Sequence, residues 1–448
     1  MTLQRILVLQ LLFTIKLTAQ FGPPQYVDLS TESGGLKQHI RTADLDNDGL
    51  SEIIVGSDFS NVVRVFWNNG GLTFSAATNV PAVWQNLSAV EPGDIDGNGF
   101  IDLMSLDANT DILSWHPNND DTFAPAVVID TELDIVFGRI LYAEFTGDGI
   151  NDIIVIAHND ALLYKNNGDG SFQPRLSLIP DEQQTEFYTA DYGDFNNDGF
   201  MDFMITANGF RIYQNDGFGN FSLTATADFG TSFLTCSADY DDDGFTDVVM
   251  KTNQLKFFHN TQSDAFETPV VLETENGNNR ALRAADLDND GDADLLTATN
   301  QLNSVYWYQN DGTGNFEAQN IIHSDAGNGG FYDVHAADLD NDGDLEPIWV
   351  TSFGVVGLHE NLSSLGVGTT DRNPLVIYPN PTNEVLSISI ENQPINSVKI
   401  YNLLGQLVLY EVIDAAALTL DVSALLSGQY LIEISSGKKI FSQPFIKL

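Results

Sequence analysis

One short acidic loop recurs seven times along the 448 residues, and its recurrence limits what the chain can fold into. The fullest copy runs from Asp286 through Asp288, Asp290 and Gly291 to Asp294, with carboxylates at positions 1, 3, 5 and 9 and glycine at position 6. The other six are Asp44, Asp46, Asp48, Gly49 and Glu52; Asp94, Asp96, Asn98, Gly99 and Asp102; Glu144, Thr146, Asp148, Gly149 and Asp152; Asp194, Asn196, Asp198, Gly199 and Asp202; Asp239, Asp241, Asp243, Gly244 and Asp247; and Asp338, Asp340, Asp342, Gly343 and Glu346. First residues fall at 44, 94, 144, 194, 239, 286 and 338. A period near fifty indicates a repeat architecture, each unit being too small to bury its own apolar face.

Side chains at alternate positions of a tight turn converge on one point. A hard cation such as Ca²⁺ takes six to eight oxygens, so these loops are candidate calcium sites, up to seven in all. The carbonyl at position 7, Asp292 in the fullest copy, is the expected backbone ligand. An EF-hand needs a bidentate Glu at position 12, where this chain has Val55, Ser105, Val155, Ile205, Met250, Thr297 and Trp349. Turn formation alone accounts for the glycine and one acid, but not for an acid at position 9 in every repeat. Mg²⁺ fits less well because it demands octahedral geometry and retains waters. The third loop is the poorest donor set, since Thr146 replaces an acid.

Each loop is followed by a short apolar run, at 51–57, 101–106, 151–157, 201–207, 246–252, 293–299 and 345–352. These read as buried strands, with Pro347 tolerable only at a strand start or a bulge. A second strand then ends in an aromatic with Asn close behind, and Asn-Gly or Asp-Gly steps predict hairpins. Phe74, Phe123, Phe172, Phe221, Phe266 and Phe316 each open a further strand. Every repeat is thus a four-stranded antiparallel unit, with the acidic loop between its first and second strands. The last repeat lacks its fourth strand, and residues from Gln20 and Phe21 onward read as that missing piece. Closing the ring in this way removes an open sheet edge. The expected fold is all-β: a seven-bladed β-propeller followed by a small C-terminal β-sandwich.

The chain carries 63 Asp and Glu against 18 Lys and Arg, a formal charge of −45. That excludes a generic binder of nucleic acid or anionic membrane. Its 43% hydrophobic and 10% aromatic content separates it from acidic disordered chains. Seven divalent ions would offset fourteen charges, so the metal-free form should repel itself. Cys236 is the single cysteine and reads as a small buried residue, leaving stabilisation to metal and packing. Residues 1–19 read as a signal peptide, with Arg5 before a mostly apolar run and Ala19 at the cleavage position. No integral membrane segment is expected after its removal. Residues 20–361 form the propeller and 362–374 a linker. From 375 to 448 the acidic repeat is absent, and about seven short strands suggest the sandwich.

With these residues in view, the repeats resemble the FG-GAP/VCBS family of integrin-α-like propellers, over about residues 20–361. The Phe-Gly and Gly-Ala-Pro signatures are mostly missing, so the VCBS branch fits better. The resemblance implies Ca²⁺ held on hairpin loops at one rim. The C-terminal part resembles the type A sorting domain of the type IX secretion system. It carries Tyr378-Pro379-Asn380-Pro381-Thr382, Ile400-Tyr401-Asn402-Leu403-Leu404-Gly405-Gln406, Leu420-Asp421-Val422-Ser423, Gly428-Gln429-Tyr430 and Phe445-Ile446-Lys447-Leu448. Pro444 stands where that family has Lys. This implies Bacteroidota-type export across the outer membrane, engagement of the type IX machinery through 375–448, and release or attachment at the cell surface.

The expected function is a secreted or cell-surface, calcium-binding, non-catalytic binding or adhesion module, a monomer with a glycan or surface-protein ligand. Candidate contacts at the starts of the first strands are Trp84, Phe137, Phe187, Tyr188, Phe331, Tyr332 and His335, joined by His158 and Asn300 from polar loops. Their alternative role is packing of core and channel. A polysaccharide lyase or hydrolase on the same scaffold is the competing reading, and a structural spacer the third. Catalysis needs a base or carboxylate pair outside the metal shells. The seven histidines show no repeated or clustered arrangement, and no catalytic residues are assigned.

Overall fold

The computed structural model describes residues 20–29, 38–58, 60–82, 84–120, 122–136, 138–179, 186–261, 266–273, 278–324 and 329–363 of the repeat region. In the C-terminal region it describes 375–378, 382, 385–390, 395–402, 407–415, 417–423, 425–426, 428–436 and 439–447. The signal peptide at 1–19, Phe137, linker residues 364–374 and the sorting-motif residues Pro379–Pro381, Leu403–Gln406 and Leu448 lie outside the described residues. The chain divides into two compact units, Met1–Gly366 and Val367–Leu448.

Among the described residues, the first unit holds seven small antiparallel sheets. Their inner strands are Gln38–Ala43, Leu87–Gly93, Arg139–Ala143, Thr189–Gly193, Leu234–Ala238, Asn279–Ala285 and Phe331–Ala337. Each inner strand touches the inner strand of the next repeat, and the seventh touches the first, so the sheets form a closed ring. The seventh sheet is completed by the N-terminal segment: Phe21–Asp28 pairs antiparallel with Val356–Asn361 as its outermost strand.

The continuous apolar runs are explained by packing on both faces of each blade. Ile53 and Val55 pack against Leu339, Ile348 and Val350 of the last repeat, while Ile54 packs against Leu87, Val90 and Leu103 of the next. The same division gives one apolar cluster between every pair of neighbouring blades. A strand buried on both sides needs apolar residues at every position rather than at alternate ones.

Three details depart from the strand reading. In five blades the Phe after the turn does not begin the outer strand. It forms an isolated bridge opposite the Asn, as in Asn118↔Phe123, and the outer strand starts later, as at Val127–Asp130. Proline closely follows three of these phenylalanines, at Pro125, Pro174 and Pro269, and cannot donate to a ladder. In blade four no proline intervenes, and Phe221 opens the continuous strand Phe221–Thr231. Blade four also merges two strands into one run, Asp202–Asn215. Its first half pairs with Thr189–Gly193 and its second half with Phe221–Thr231, with Gly209 at φ +105° between the halves. Pro347 is the second residue of its strand. The ladder to Val356–Asn361 starts at Ile348, so no rung there asks for the missing N–H.

The second unit is a sandwich. A three-stranded sheet contains Leu375–Tyr378, Val385–Ile390 and Ala417–Asp421. A four-stranded sheet contains Leu407–Ala415, Ile395–Asn402, Gly428–Ser436 and Lys439–Lys447. Leu386, Ile388 and Leu420 from the first meet Val398, Ile400, Ile432, Ile434 and Phe445 from the second in one buried core.

Candidate metal centre

The seven loops share one backbone geometry. The residue at position 4 has positive φ in every loop, between +57° and +75°, and the glycine at position 6 lies between +83° and +99°. Position 4 is accordingly Asn47, Gly97, Gly147, Asn197, Asp242, Asn289 and Asn341, the types that tolerate this region. In six loops the position-1 Asp accepts the glycine N–H at 2.7–3.0 Å. In all seven the position-5 side chain accepts the position-7 N–H at 2.7–3.1 Å. These bonds hold the side chains at positions 1 and 5 against the turn.

Ligand oxygens of Asp44, Asp46 and Asp48 lie within 4.8 Å of one another, as do those of Asp286, Asp288 and Asp290. The same holds for Asp94, Asp96 and Asp102, and for Asp239, Asp241 and Asp247. Two oxygens on opposite sides of a calcium ion stand about 4.8 Å apart, so the spacing suits that ion. Oδ1 atoms of Asp239, Asp241, Asp288 and Asp340 are buried without a hydrogen-bond partner. Carboxylate oxygens left in that state cost free energy that a cation would offset. The residues therefore fit a hard divalent ion, which would neutralise the clustered acids and cross-link each loop. The third loop differs. Glu144 Oε1 accepts N–H groups of Thr146, Gly147 and Asp148 at 2.9, 2.5 and 3.3 Å, turning that carboxylate toward the backbone. In the fourth, Asn196 Nδ2 donates to Asp198 Oδ2 at 2.9 Å.

Position 9 has a role that its spacing alone did not reveal. Glu52, Asp102, Asp152, Asp202, Asp247, Asp294 and Glu346 are all fully buried. One oxygen of each accepts the N–H of the apolar position-2 residue, at 2.6–3.3 Å. The other accepts the backbone N–H of the Asn after the third strand position, also at 2.6–3.3 Å. Burial outweighs these bonds. It pushes Glu52, Asp202, Asp247 and Asp294 up to about 7, Asp102 to about 6 and Glu346 to about 8.

That Asn is the second residue whose role the sequence reading missed. Asn68, Asn118, Asn166, Asn215, Asn260, Asn310 and Asn361 each donate Nδ2 to the carbonyl just before their own position 9, at 3.0–3.3 Å. The same Nδ2 donates to the position-2 carbonyl of the preceding blade, at 2.6–3.1 Å. Asn68 reaches Leu339 and so carries the series across the junction of first and last repeats. Invariance of Asn at this place in all seven repeats was the available signal.

Of the candidate ligand contacts, Trp84, Phe187 and Phe331 are buried packing residues. Trp84 Nε1 donates to Ser105 Oγ at 3.1 Å. Tyr332 lies under the Arg280 guanidinium, 5.0 Å from ring centroid to Cζ. Tyr188 meets the half-exposed Phe233 with ring centroids 4.7 Å apart. His158 donates its backbone N–H to Asp134 O at 2.6 Å, and Asn300 Oδ1 accepts from Asn278 Nδ2, also at 2.6 Å. Burial drops His335 to about 3, so it is neutral at physiological pH.

Comparison with known proteins decides the family. The FG-GAP-like repeat matches at residues 44–105, 145–205, 239–297 and 286–349, over half of the chain. The chain belongs to the FG-GAP-like repeat family. Its C-terminal unit matches the secretion system C-terminal sorting domain over residues 376–447, which marks this FG-GAP-like protein for type IX secretion to the cell surface or extracellular space. No curated protein sequence matches it. Among solved structures it is similar to an Agrocybe aegerita lectin described as specifically recognising non-reducing terminal N-acetylglucosamine. That pair is 22% identical over 64% of this chain and 81% of the lectin, with a TM-score of 0.52. It is also similar to BBS1N in complex with ARL6DN, at 11% identity over 76% of this chain and 96% of that chain, with a TM-score of 0.54. Streptogramin B lyase follows at 10% identity, 75% and 97% coverage and a TM-score of 0.52. A lectin, a protein-binding domain and a lyase share the ring, so the fold does not select a function. No helix among the described residues is long and apolar enough to cross a membrane.

Proposed function

We propose that this FG-GAP-like propeller is a calcium-stabilised, non-catalytic binding module displayed or released outside the cell. The observation that carries the calcium part is the set of converging acids at positions 1 and 3 with 5 or 9 in loops one, two, five and six, with buried Asp oxygens that have no partner in loops five, six and seven. Calcium there would act structurally, making the loops a rigid rim. The binding surface is then formed by other parts of the ring, and a glycan is the ligand class that fits exposed rings such as Phe233.

The test is a glycan array of the secreted protein, with calcium and with EDTA, including terminal N-acetylglucosamine because the similar lectin recognises it. Specific binding lost in EDTA supports the reading. Turnover of a polysaccharide by the purified protein would replace it with the enzyme reading, and neither binding nor turnover would leave a spacer.

A further inference from the structure

Only 18 residues of this chain are Lys or Arg, yet three of its arginines stand on inner strands of the ring. Arg41, Arg139 and Arg283 come from the inner strands of the first, third and sixth blades. Arg139 lies close enough to feel both of the others, and Asp333, across the ring. Side chains of Arg41, Glu91 and Arg283 keep 21%, 26% and 28% of their surface open, so solvent reaches the space they enclose.

Two of the three cations are paired there. Arg41 Nε is 2.9 Å from Glu91 Oε2. An Arg283 terminal nitrogen is 3.0 Å from Asp333 Oδ1, and Arg41 is 3.7 Å from Asp333 Oδ2. Asp333 Oδ2 also accepts the Ile40 N–H at 3.0 Å. The remaining acid on these strands near the arginines, Asp191, is engaged by the N–H groups of Ser237 and Tyr192 at 2.7 and 3.0 Å. Arg139 has no carboxylate among the described residues. Among the described residues its side chain donates to the carbonyl of Gly138, at 3.3 Å. It opens its strand, so it stands at the end of the channel away from the acidic loop that follows Ala143.

Arg139 is only half-buried, so the donors that the Gly138 carbonyl does not take reach solvent and are open to a carboxylate. Burial and the two neighbouring arginines pull Arg139 down to about 10. We propose that Arg139, backed by Arg41 and Arg283, forms an anion site in the axial channel that takes a single carboxylate of a small ligand. The planar fork of a guanidinium matches a carboxylate with two parallel hydrogen bonds. A net charge of −45 repels extended polyanions, so the ligand is a compact monoanion, such as an acidic sugar end group. The site uses none of the calcium loops and stands whether or not the rim binds metal.

The experiment is isothermal titration of the calcium-loaded full chain with sodium glucuronate, and with uncharged methyl glucoside, at constant ionic strength. One saturable site for glucuronate alone is expected. Arg139→Gln should weaken it about tenfold or more, as loss of a charged hydrogen-bonding pair does. Asp333→Asn should tighten it, because it removes the carboxylate that competes for the same cations. No saturable binding by the wild type, equal binding of methyl glucoside, or unchanged affinity in Arg139→Gln overturns the proposal. If Arg139→Gln does not fold, Asp333→Asn decides: tighter binding supports the site, and unchanged affinity overturns it.

Discussion

Asn118→Ala probes the latch between the first and second blades. Asn118 is fully buried, and its Nδ2 donates to Leu45 O at 2.6 Å and to Ile101 O at 3.0 Å. Its backbone N–H to Asp102 Oδ1, at 2.7 Å, survives the substitution. The change therefore removes two hydrogen bonds and strands two carbonyls, which costs about 2–4 kcal/mol. Asn118→Asp should cost more, since it sets a carboxylate against both carbonyls and beside Asp102. Asn119→Ala, next door and exposed, should stay within about 0.5 kcal/mol. Asn68→Ala should match Asn118→Ala, because its bond to Leu339 is equivalent although it joins the two ends of the repeat array. The assay is urea denaturation in saturating calcium, compared at equal slope. A midpoint for Asn118→Ala that coincides with that of Asn119→Ala would refute the latch.

Other expectations follow from the same geometry. Calcium that binds only the folded ring adds RT ln(1 + [L]/Kd) per site, about 0.4–1.4 kcal/mol at one to ten times Kd; a melting temperature indifferent to EDTA contradicts this. Deleting residues 20–29 exposes the edge of Val356–Asn361, so the truncated protein should lose stability and associate with rising concentration on a sizing column. His116 is buried beside Ser105 Oγ at 2.9 Å, and desolvation lowers it from 6.5 to about 4. The folded state therefore resists a proton that the unfolded chain accepts, and stability is lost as pH falls from about 6.5 to 4, by up to about 3 kcal/mol. His116→Asn should flatten that part of the pH profile, and an unchanged profile would remove His116 as the cause.

The ring was legible because its signals repeat. Seven acidic loops at near-constant spacing, with apolar runs after each, specify blades, and Phe21–Asp28 was recognisable as the strand missing from the last one. The sandwich was legible from its short strands and turns. The latch was not, because an Asn just after a strand reads locally as a turn former, and its partner in the preceding blade lies about 65–74 residues away, or 271 for Asn68. Position 9 was assigned to metal from spacing, but spacing cannot show that its carboxylate is also enclosed by two backbone N–H groups. Trp84, Phe187 and Phe331 could be read as surface or core, since a place just before or at the start of an inner strand does not say whether the ring is covered. The arginines at the axis were invisible for a related reason. Arg41 and Arg283 hold the same place in their repeats, three residues before the acidic loop, but Arg139 stands five before its own, and inner strands of separate blades face one another only when the ring closes.

The most direct test of the closed, cation-bridged ring is the number of calcium ions held by the secreted chain, measured by equilibrium dialysis with elemental analysis. Six or seven per chain is expected, the third loop being the weakest, with the bound ions lost on Asp→Asn changes at positions 1 and 3. A chain that holds none, or one, in millimolar calcium while remaining folded would contradict it.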